Sequence, residues 1–237
     1  MALITSGAMA LTSASYANGF EDRFDTLNPQ NWAVANYTFG HPYFDTDWSA
    51  KQLNAGTGLT LKLSPQKGRE NAYIGASLRR HKPTGFGRYE VTLQAARGAG
   101  VITGFFTYTG PYYGTRHDEI DIEFLGKNTR QIHLATFVDG KMWHKFIDLG
   151  FDAADKPHSY AFEWGQNSVR WYVGDKMIYQ RQAKDGAIPS VPSMLFANIW
   201  AADPSIKAWS GATAKGTNAT AKILHMGFKP QSVEVGS

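Results

Sequence analysis

Residues 117–124 read His-Asp-Glu-Ile-Asp-Ile-Glu-Phe, a stretch in which acidic and apolar side chains alternate. The acids are Glu119, Asp121 and Glu123, and the apolar residues that follow each of them are Ile120, Ile122 and Phe124. This alternation is typical of a β-strand, which would direct the three carboxylates to one face and the apolar side chains to the other. Like charges on one face of a sheet repel each other and cost stability. Such a strand therefore indicates a site at which acidic groups are needed for chemistry.

Alternating segments of the same kind recur along the chain, with turn signals between them. They include residues 59–63, 89–94 and 169–173, and the pairs Asp139-Gly140 and Gly174-Asp175 are typical of tight hairpin turns. No long amphipathic helix is predicted, and residues 152–155 would form one short helical turn at most. Many short strands without a repeat or a break in composition predict a single all-β domain, either a sandwich or a barrel.

The composition narrows the class of protein. Hydrophobic residues make up 43% of the 237, which is enough for a core, and the aromatic share of 14% is high enough that some rings are expected in a cleft or on a surface. The chain has no cysteine, which excludes disulfides and thiolate zinc sites. Its net charge of +4 is spread without long basic runs. This distribution indicates a mildly basic surface, with a modest bias toward acidic polymers as the alternative, and predicts no nucleic-acid partner.

Both ends of the chain are expected to lie outside the folded domain. Residues 1–17 are mostly small and apolar, and Ser15-Tyr16-Ala17 resembles a signal-peptidase site, although no Lys or Arg precedes it. We interpret this segment as the remnant of an export signal or a disordered N-terminus, with an ordered strand as the alternative, and expect a secreted or periplasmic protein. No other stretch approaches the length of a membrane span. Residues 18–230 form the predicted domain, and residues 231–237 form a C-terminal tail.

The spacing of the acids permits one particular reaction. Retaining hydrolysis of a glycosidic bond needs two carboxyl groups about 5–5.5 Å apart, one as nucleophile and one as proton donor. On a strand the Cα atoms of Glu119 and Glu123 would lie about 13 Å apart, and their flexible side chains can close much of that gap. Asp121 between them would raise at least one pKa by crowding. A divalent-cation site and a solvated acidic strand are the other interpretations.

Several further motifs accompany the acidic strand. They are Phe105-Phe106-Thr107-Tyr108-Thr109-Gly110-Pro111, Gly85 to Val91, Asp148 to Ala154, His158 to Trp164, Trp171-Tyr172-Val173 and Asn198-Ile199-Trp200. Together with Asp118 to Lys127 they resemble glycoside hydrolase family 16, and within it the bacterial lichenases, which are endo-1,3-1,4-β-glucanases. The resemblance extends from about residue 19 to residue 228.

The resemblance implies a β-sandwich of the jelly-roll type, in which one of two antiparallel sheets forms a concave cleft for a polysaccharide. It also implies retaining hydrolysis of internal β-linkages through a glycosyl-enzyme intermediate. By position, Glu119 would be the nucleophile, Asp121 its helper and Glu123 the general acid/base. No cofactor is needed for this chemistry, and no metal ligands are predicted. A structural calcium ion is common in the family, but Leu224 stands where a carboxylate is expected, which argues against calcium here.

The same resemblance identifies substrate-binding candidates, which are Arg79, Phe106, Tyr108, His117, Asn198 and Trp200. Flat aromatic side chains are suited to stacking on sugar rings, whereas Trp171 is expected in the core. Some lichenase contacts are changed, since Ser77 stands for a Glu, His117 for a Trp, Ala135 for an Asn and Phe137 for a Tyr. The polymer therefore stays open between β-glucan and a bacterial exopolysaccharide. His117 would bind sugar, titrate with the acids or serve a structural hydrogen bond, and His133 would face the same cleft.

Two other functions stay open at this point. One is a transglycosylase of the same family, which would pass the glycosyl group to another sugar, and the other is a noncatalytic carbohydrate-binding jelly roll. In each case the predicted partner is a polysaccharide, with no membrane partner, and the protein is expected to be a monomer.

Overall fold

A computed structural model describes residues 18–231 of the chain. The predictions for residues 1–17 and for the tail beyond residue 231 lie outside the described residues. The described strands are β1 (Phe20–Asp22), β2 (Trp32–Val34), β3 (Thr46–Trp48), β4 (Leu53–Gly56), β5 (Gly58–Pro65), β6 (Tyr73–Arg80), β7 (Gly87–Gln94), β8 (Val101–Thr109), β9 (Asp118–Leu125), β10 (Gln131–Val138), β11 (Lys141–Asp148), β12 (His158–Gly165), β13 (Ser168–Val173), β14 (Lys176–Gln182), β15 (Met194–Ala201) and β16 (Ala219–Pro230). The helix α1 spans Lys207–Ser210, and short 3-10 turns lie at Ala50–Gln52, Pro111–Tyr113, Ala183–Asp185 and Pro204–Ile206. Between residues 18 and 231, no helix has the length and apolar character needed to cross a membrane.

The main strands form two antiparallel sheets. The first has the order β11-β10-β9-β8-β15-β6, and we call it the cleft sheet because it carries the acidic strand β9. The second, the outer sheet, has the order β14-β13-β12-β7-β16-β5. Strands β5 and β6 join the two sheets through the pairs Ser64–Ile74 and Pro65–Tyr73. This arrangement confirms the predicted all-β sandwich.

The core lies between the two sheets, and the apolar face of β9 belongs to it. Ile120, Ile122 and Phe124 have no exposed surface, and each such side chain contributes about 1.5–3 kcal/mol through burial. Phe124 meets Tyr160 of the outer sheet with ring centroids 4.9 Å apart. Trp171 is fully buried as expected, and its indole N–H donates to the carbonyl oxygen of Asp121 at 3.1 Å. A core residue therefore supports the backbone of the acidic strand directly.

The strand and turn predictions are confirmed where they bear on the site. The alternating segments fall in β5, β7 and β13. Asp139 and Gly140 form the two-residue connection between β10 and β11, with φ values of 51° and 73°, as a primed hairpin turn requires. Residues 152–155 form a turn instead of a helix. Because the hairpin pairs Val138 with Lys141, it fixes the register of all of β11 against β10.

Candidate active site

Strand register arranges the exposed face of the cleft sheet in three rows, each centred on one acid. The Glu119 row contains Met142, Phe137, Glu119, Tyr108 and Met194. The Asp121 row contains His144, Ala135, Asp121, Phe106, Phe196 and Arg79. The Glu123 row contains Phe146, His133, Glu123, Gly104, Asn198 and Ser77.

The three acids share this face, as their alternation predicts. The side chains of Glu119 and Glu123 are each 17% exposed, whereas Asp121 between them is 4% exposed. Residues two apart on a strand are separated by about 7 Å, so Asp121 lies within side-chain reach of both neighbours. The two outer acids therefore keep some exposed surface on this face, whereas the central acid is buried.

Burial and mutual repulsion perturb the ionisation of this cluster. Burial raises the pKa of Asp121 well above its ordinary value, and the charges of Glu119 and Glu123 add to the effect. Burial also raises the pKa of Glu119, although the hydrogen bond from His117 opposes the rise. Asp121 and Glu119 are hydrogen-bonded to each other, and two carboxyl groups can form such a bond only if one carries a proton. The pKa of Asp121 is raised further than that of Glu119, which favours Asp121 as the proton donor of this pair.

His117 contacts Glu119 directly. The Nε2 atom of His117 lies 2.6 Å from Oε2 of Glu119. The imidazole stacks on the ring of Phe137 at a centroid distance of 4.7 Å and meets Tyr108 edge to face at 5.2 Å. The geometry gives His117 the hydrogen bond that its structural role predicts, here to Glu119, with one ring face covered by Phe137. Sugar binding by His117 stays a prediction.

A pair of histidines adjoins Glu123 on the opposite side of the site. His133 is 3% exposed, and its Nδ1 atom lies 3.0 Å from Oε2 of Glu123, so the prediction that it faces the cleft is confirmed. Its other nitrogen, Nε2, lies 3.1 Å from Nδ1 of His144. The sequence analysis did not identify His144 as a site residue. The Asp139-Gly140 turn could have identified it, because a two-residue hairpin fixes the pairing of β10 with β11. That pairing sets His144 opposite Ala135, on the same face as His133.

Three predicted substrate-binding residues lie along the Glu119 and Asp121 rows. Phe106 is half-buried and stacks on Phe196 with centroids 5.1 Å apart and an interplanar angle of 8°. Tyr108 is also half-buried, and burial raises its pKa, with the charge of Glu119 adding to the rise. The Arg79 guanidinium lies 5.7 Å from the ring centroid of Tyr113. Phe106 and Tyr108 give the cleft an apolar surface, and Arg79 places one positive charge at the end of the Asp121 row.

Asn198 presents an unusual acceptor beside Glu123. The residue is 5% exposed, and its buried Oδ1 atom has no hydrogen-bond partner among the described residues. Gly104 separates it from Glu123 in the row, and a Cβ atom there would come within 2.7 Å of that Oδ1. A buried polar atom needs a hydrogen-bond partner, and a sugar hydroxyl is a donor suited to this acceptor.

Trp200 lies outside the three rows and is covered by its neighbours. It is 5% exposed, with Phe44 stacked on it at a centroid distance of 3.9 Å and Trp209 at 6.2 Å. Because Phe44 covers one face of the indole, sugar stacking on Trp200 stays a prediction.

Whether a calcium ion fits beside Leu224 depends on the oxygen ligands that the described residues offer there. Residues 18–231 contain no group of three or more His, Asp or Glu side chains placed to hold a metal. The cavity beside Leu224 is lined by residues that include Asn54, Gln94 and Lys222, and none of the described residues around it carries a carboxylate. Calcium needs several oxygen ligands, usually including carboxylates. The residues present therefore do not fit a calcium ion there.

Comparison with known proteins gives a consistent set of relatives. Residues 40–223 match the sequence profile of glycosyl hydrolases family 16. A beta-glucanase of Paenibacillus polymyxa is 34% identical over 214 residues, which cover 89% of this chain and 88% of the relative. The endo-1,3-1,4-beta-glycanase ExoK of Rhizobium meliloti (strain 1021) is 33% identical over 194 residues, covering 81% and 71% respectively. A solved Bacillus licheniformis beta-glucanase aligns with a TM-score of 0.84 at 31% identity, covering 91% of this chain and 99% of that structure, which confirms the predicted jelly roll.

Proposed function

The chain belongs to glycoside hydrolase family 16, and on that basis we propose that Glu119, Asp121 and Glu123 carry out its reaction. It is a glycoside hydrolase that cleaves internal β-linkages of a polysaccharide with retention. The observation that best supports the residue roles is the shared, partly exposed face on which the buried Asp121, with its raised pKa, separates the two more exposed acids.

In the first step the Glu119 carboxylate attacks the anomeric carbon of the sugar. Glu123, in its acid form, gives its proton to the glycosidic oxygen, and the bond between that oxygen and the anomeric carbon breaks. The product is an ester between Glu119 and the glycosyl unit. In the second step Glu123 removes a proton from water, the resulting hydroxide attacks the anomeric carbon, and Glu119 is released. Glu123 ends the cycle protonated, and two inversions at the same carbon give retention.

Asp121 and His117 assist Glu119 in different ways. A protonated Asp121 would donate to Glu119 and stabilise the ionised nucleophile without adding a further negative charge to the cluster. The His117 nitrogen at 2.6 Å from Glu119 Oε2 holds the carboxylate in a fixed orientation. Fixed donors are effective because their orientation costs nothing at the moment of reaction.

The proposed polymer is a mixed-linkage 1,3-1,4-β-glucan. The relatives support it through their names, beta-glucanase and endo-1,3-1,4-beta-glycanase. The floor of the cleft supports a neutral sugar chain as well, because Phe106, Tyr108 and Phe137 offer apolar ring surface. We propose further that the protein acts as a monomer outside the cytoplasm, where a polymeric substrate is accessible; light scattering and cell fractionation test these two points.

The residue roles are tested by removing each acid in turn. Glu119→Gln and Glu123→Gln should each lower kcat by about a thousandfold or more, as loss of a nucleophile or an acid/base does. The matched control Glu70→Gln, at an exposed position outside the three rows, should keep wild-type turnover. Wild-type turnover in both cleft variants would contradict the proposal.

Azide then separates the two roles. In Glu123→Ala, azide should attack the glycosyl-enzyme and give a β-glycosyl azide, whereas in Glu119→Ala it should replace the nucleophile and give the α-anomer. The reverse pair of products would exchange the two assignments.

A substrate panel tests the polymer. Mixed-linkage glucan, laminarin, xyloglucan and an acidic exopolysaccharide are incubated with the enzyme, and product masses are followed over time. We expect shorter oligosaccharides to appear fastest from mixed-linkage glucan. Preference for the acidic polymer would correct the substrate, products longer than the starting oligosaccharide would indicate glycosyl transfer, and binding without cleavage would indicate the noncatalytic alternative.

A further inference from the structure

A continuous hydrogen-bonded chain leads from Glu123 to the edge of the cleft sheet. It runs from Oε2 of Glu123 to Nδ1 of His133 over 3.0 Å, and from Nε2 of His133 to Nδ1 of His144 over 3.1 Å. Glu123 lies on β9, His133 on β10 and His144 on the edge strand β11. His133 is nearly inaccessible, whereas His144 is exposed to solvent.

The surroundings of His133 leave it few partners. Phe146 of β11 lies against its ring at a centroid distance of 4.6 Å, and Trp209 of α1 meets it at 5.5 Å. Neither ring is charged or titratable. Among the described residues, Glu123 and His144 are the titratable groups that contact it, so its protonation and orientation depend on these two.

An imidazole is suited to both states that Glu123 passes through. When Glu123 is ionised, His133 donates from Nδ1 and accepts at Nε2 from the N–H of His144. When Glu123 is protonated, it can donate to Nδ1, and His133 then donates from Nε2 to His144. Either arrangement leaves all three groups paired, and which nitrogen carries the proton follows the state of Glu123.

We propose that His133 is a positioning residue that orients Glu123 and supports it as both acid and base, and that His144 fixes the ring of His133 in turn. The inference rests on the proposed role of Glu123 as acid/base. Because both histidines act through Glu123, their loss should change proton transfer and leave substrate binding nearly intact.

The test compares His133→Phe, His133→Gln and His144→Phe with the wild type. Phe fills the same space without hydrogen bonds, whereas Gln keeps an N–H donor but cannot exchange donor and acceptor roles as imidazole does. We expect kcat to fall by about ten- to a hundredfold in His133→Phe and by less in the other two, with KM within about twofold of wild type. Lys145→Ala is the matched control, because Lys145 lies on the opposite face of β11 above Tyr179, and it should leave kcat unchanged.

The pH profile supplies a readout that loss of packing would not move. Replacing the imidazole by Phe removes a hydrogen-bond donor from the Glu123 carboxylate and sets an apolar ring beside it, and both changes disfavour the charged form. The alkaline limb of kcat/KM should therefore shift to higher pH in His133→Phe, and by a smaller amount in His144→Phe. An activated aryl glycoside with azide, which needs neither proton donation nor a base, should recover most of the lost turnover.

The possible outcomes separate this inference from the proposed function. If Glu123→Gln is inactive while His133→Phe and His144→Phe keep the wild-type kcat and alkaline limb, the positioning role is overturned and the acid/base assignment stands. If Glu123→Gln keeps full activity, the proposed function itself fails. His144→Phe changes an exposed position and decides the question if His133→Phe does not fold.

Discussion

Two carboxyl groups three residues apart on β9 are both buried, yet their environments are opposite. Asp118 accepts hydrogen bonds from Arg116 at 2.9 and 3.0 Å and from the backbone N–H of Ser190 at 2.8 Å. Burial alone would raise the pKa of Asp118, but these bonds and further backbone N–H donors hold it below its ordinary value. Asp121 faces two other acids, and its pKa is raised instead.

The contrast follows from the side of the strand on which each residue lies. Asp118 has the same parity as the core residues Ile120 and Ile122, and at the beginning of the strand it ties β9 to the β10–β11 hairpin and to the loop at Ser190. Asp121 lies on the other face of the strand, with Glu119 and Glu123, toward the cleft. A carboxylate that is fully satisfied serves the fold, whereas one that is left against like charges is available for chemistry.

Removing the satisfied carboxylate should give the largest change in stability. Asp118→Ala leaves backbone N–H groups and Arg116 without their acceptor, and we expect the free energy of unfolding to fall by about 3 kcal/mol. Urea unfolding at neutral pH measures this. A loss below about 1 kcal/mol would mean that Asp118 behaves like a surface ion pair, and it would contradict the stabilising role assigned to Asp118.

Removing the unsatisfied carboxyl should affect catalysis more than stability. Asp121→Asn keeps the size of the side chain and a donor toward Glu119 but removes the titratable carboxyl group. We expect kcat to fall by about ten- to a hundredfold without a decrease in the free energy of unfolding. A variant as unstable as Asp118→Ala would show that Asp121 is an anchor as well.

Asp118 and Asp121 should change the pH dependence of stability in opposite directions, because their pKa shifts have opposite signs. The raised pKa of Asp121 means that the folded protein holds a proton that the unfolded chain releases, so its effect costs stability as pH rises above about 4. The lowered pKa of Asp118 stabilises the fold above that range, and this contribution is lost as pH falls through the folded pKa.

Urea titrations across acidic and neutral pH test these signs. As the pH rises from about 4 toward neutrality, the free energy of unfolding should decrease less in Asp121→Asn than in the wild type. As the pH falls below that range, it should decrease less in Asp118→Asn than in the wild type. Parallel curves for the wild type and both variants would contradict the assigned shifts.

The smallest expected effect is that of a chelator. Because the cavity beside Leu224 lacks carboxylates and offers Lys222 instead, EDTA should leave both the melting temperature and kcat unchanged. A fall in melting temperature that added calcium reverses would show that a metal ion, and not hydrogen bonding of the Asp118 kind, stabilises part of the fold.

Much of this site could be predicted because its main signals are local. Alternation alone gives the shared face of Glu119, Asp121 and Glu123, and the Asp139-Gly140 turn gives the β10–β11 register. The bonds of Asp118 could not be predicted in the same way, because Ser190 and Val191 lie more than 70 positions away along the chain.

The same limit applies to the residues around the acids. Contact between His133 and Glu123 depends on the connection from β9 to β10, whose length alone does not fix a register. The covering of Trp200 by Phe44 depends on where a long N-terminal segment crosses the sheet, and no local pattern encodes that.

The most direct test of the central claim is to trap the glycosyl-enzyme. A 2-deoxy-2-fluoro glucoside with an activated leaving group should form the ester and hydrolyse slowly, and peptide mass spectrometry then locates the sugar. We expect one equivalent of label on Glu119 in the wild type and none in Glu119→Gln. Label on Glu123, or on a residue outside the three rows, would contradict it.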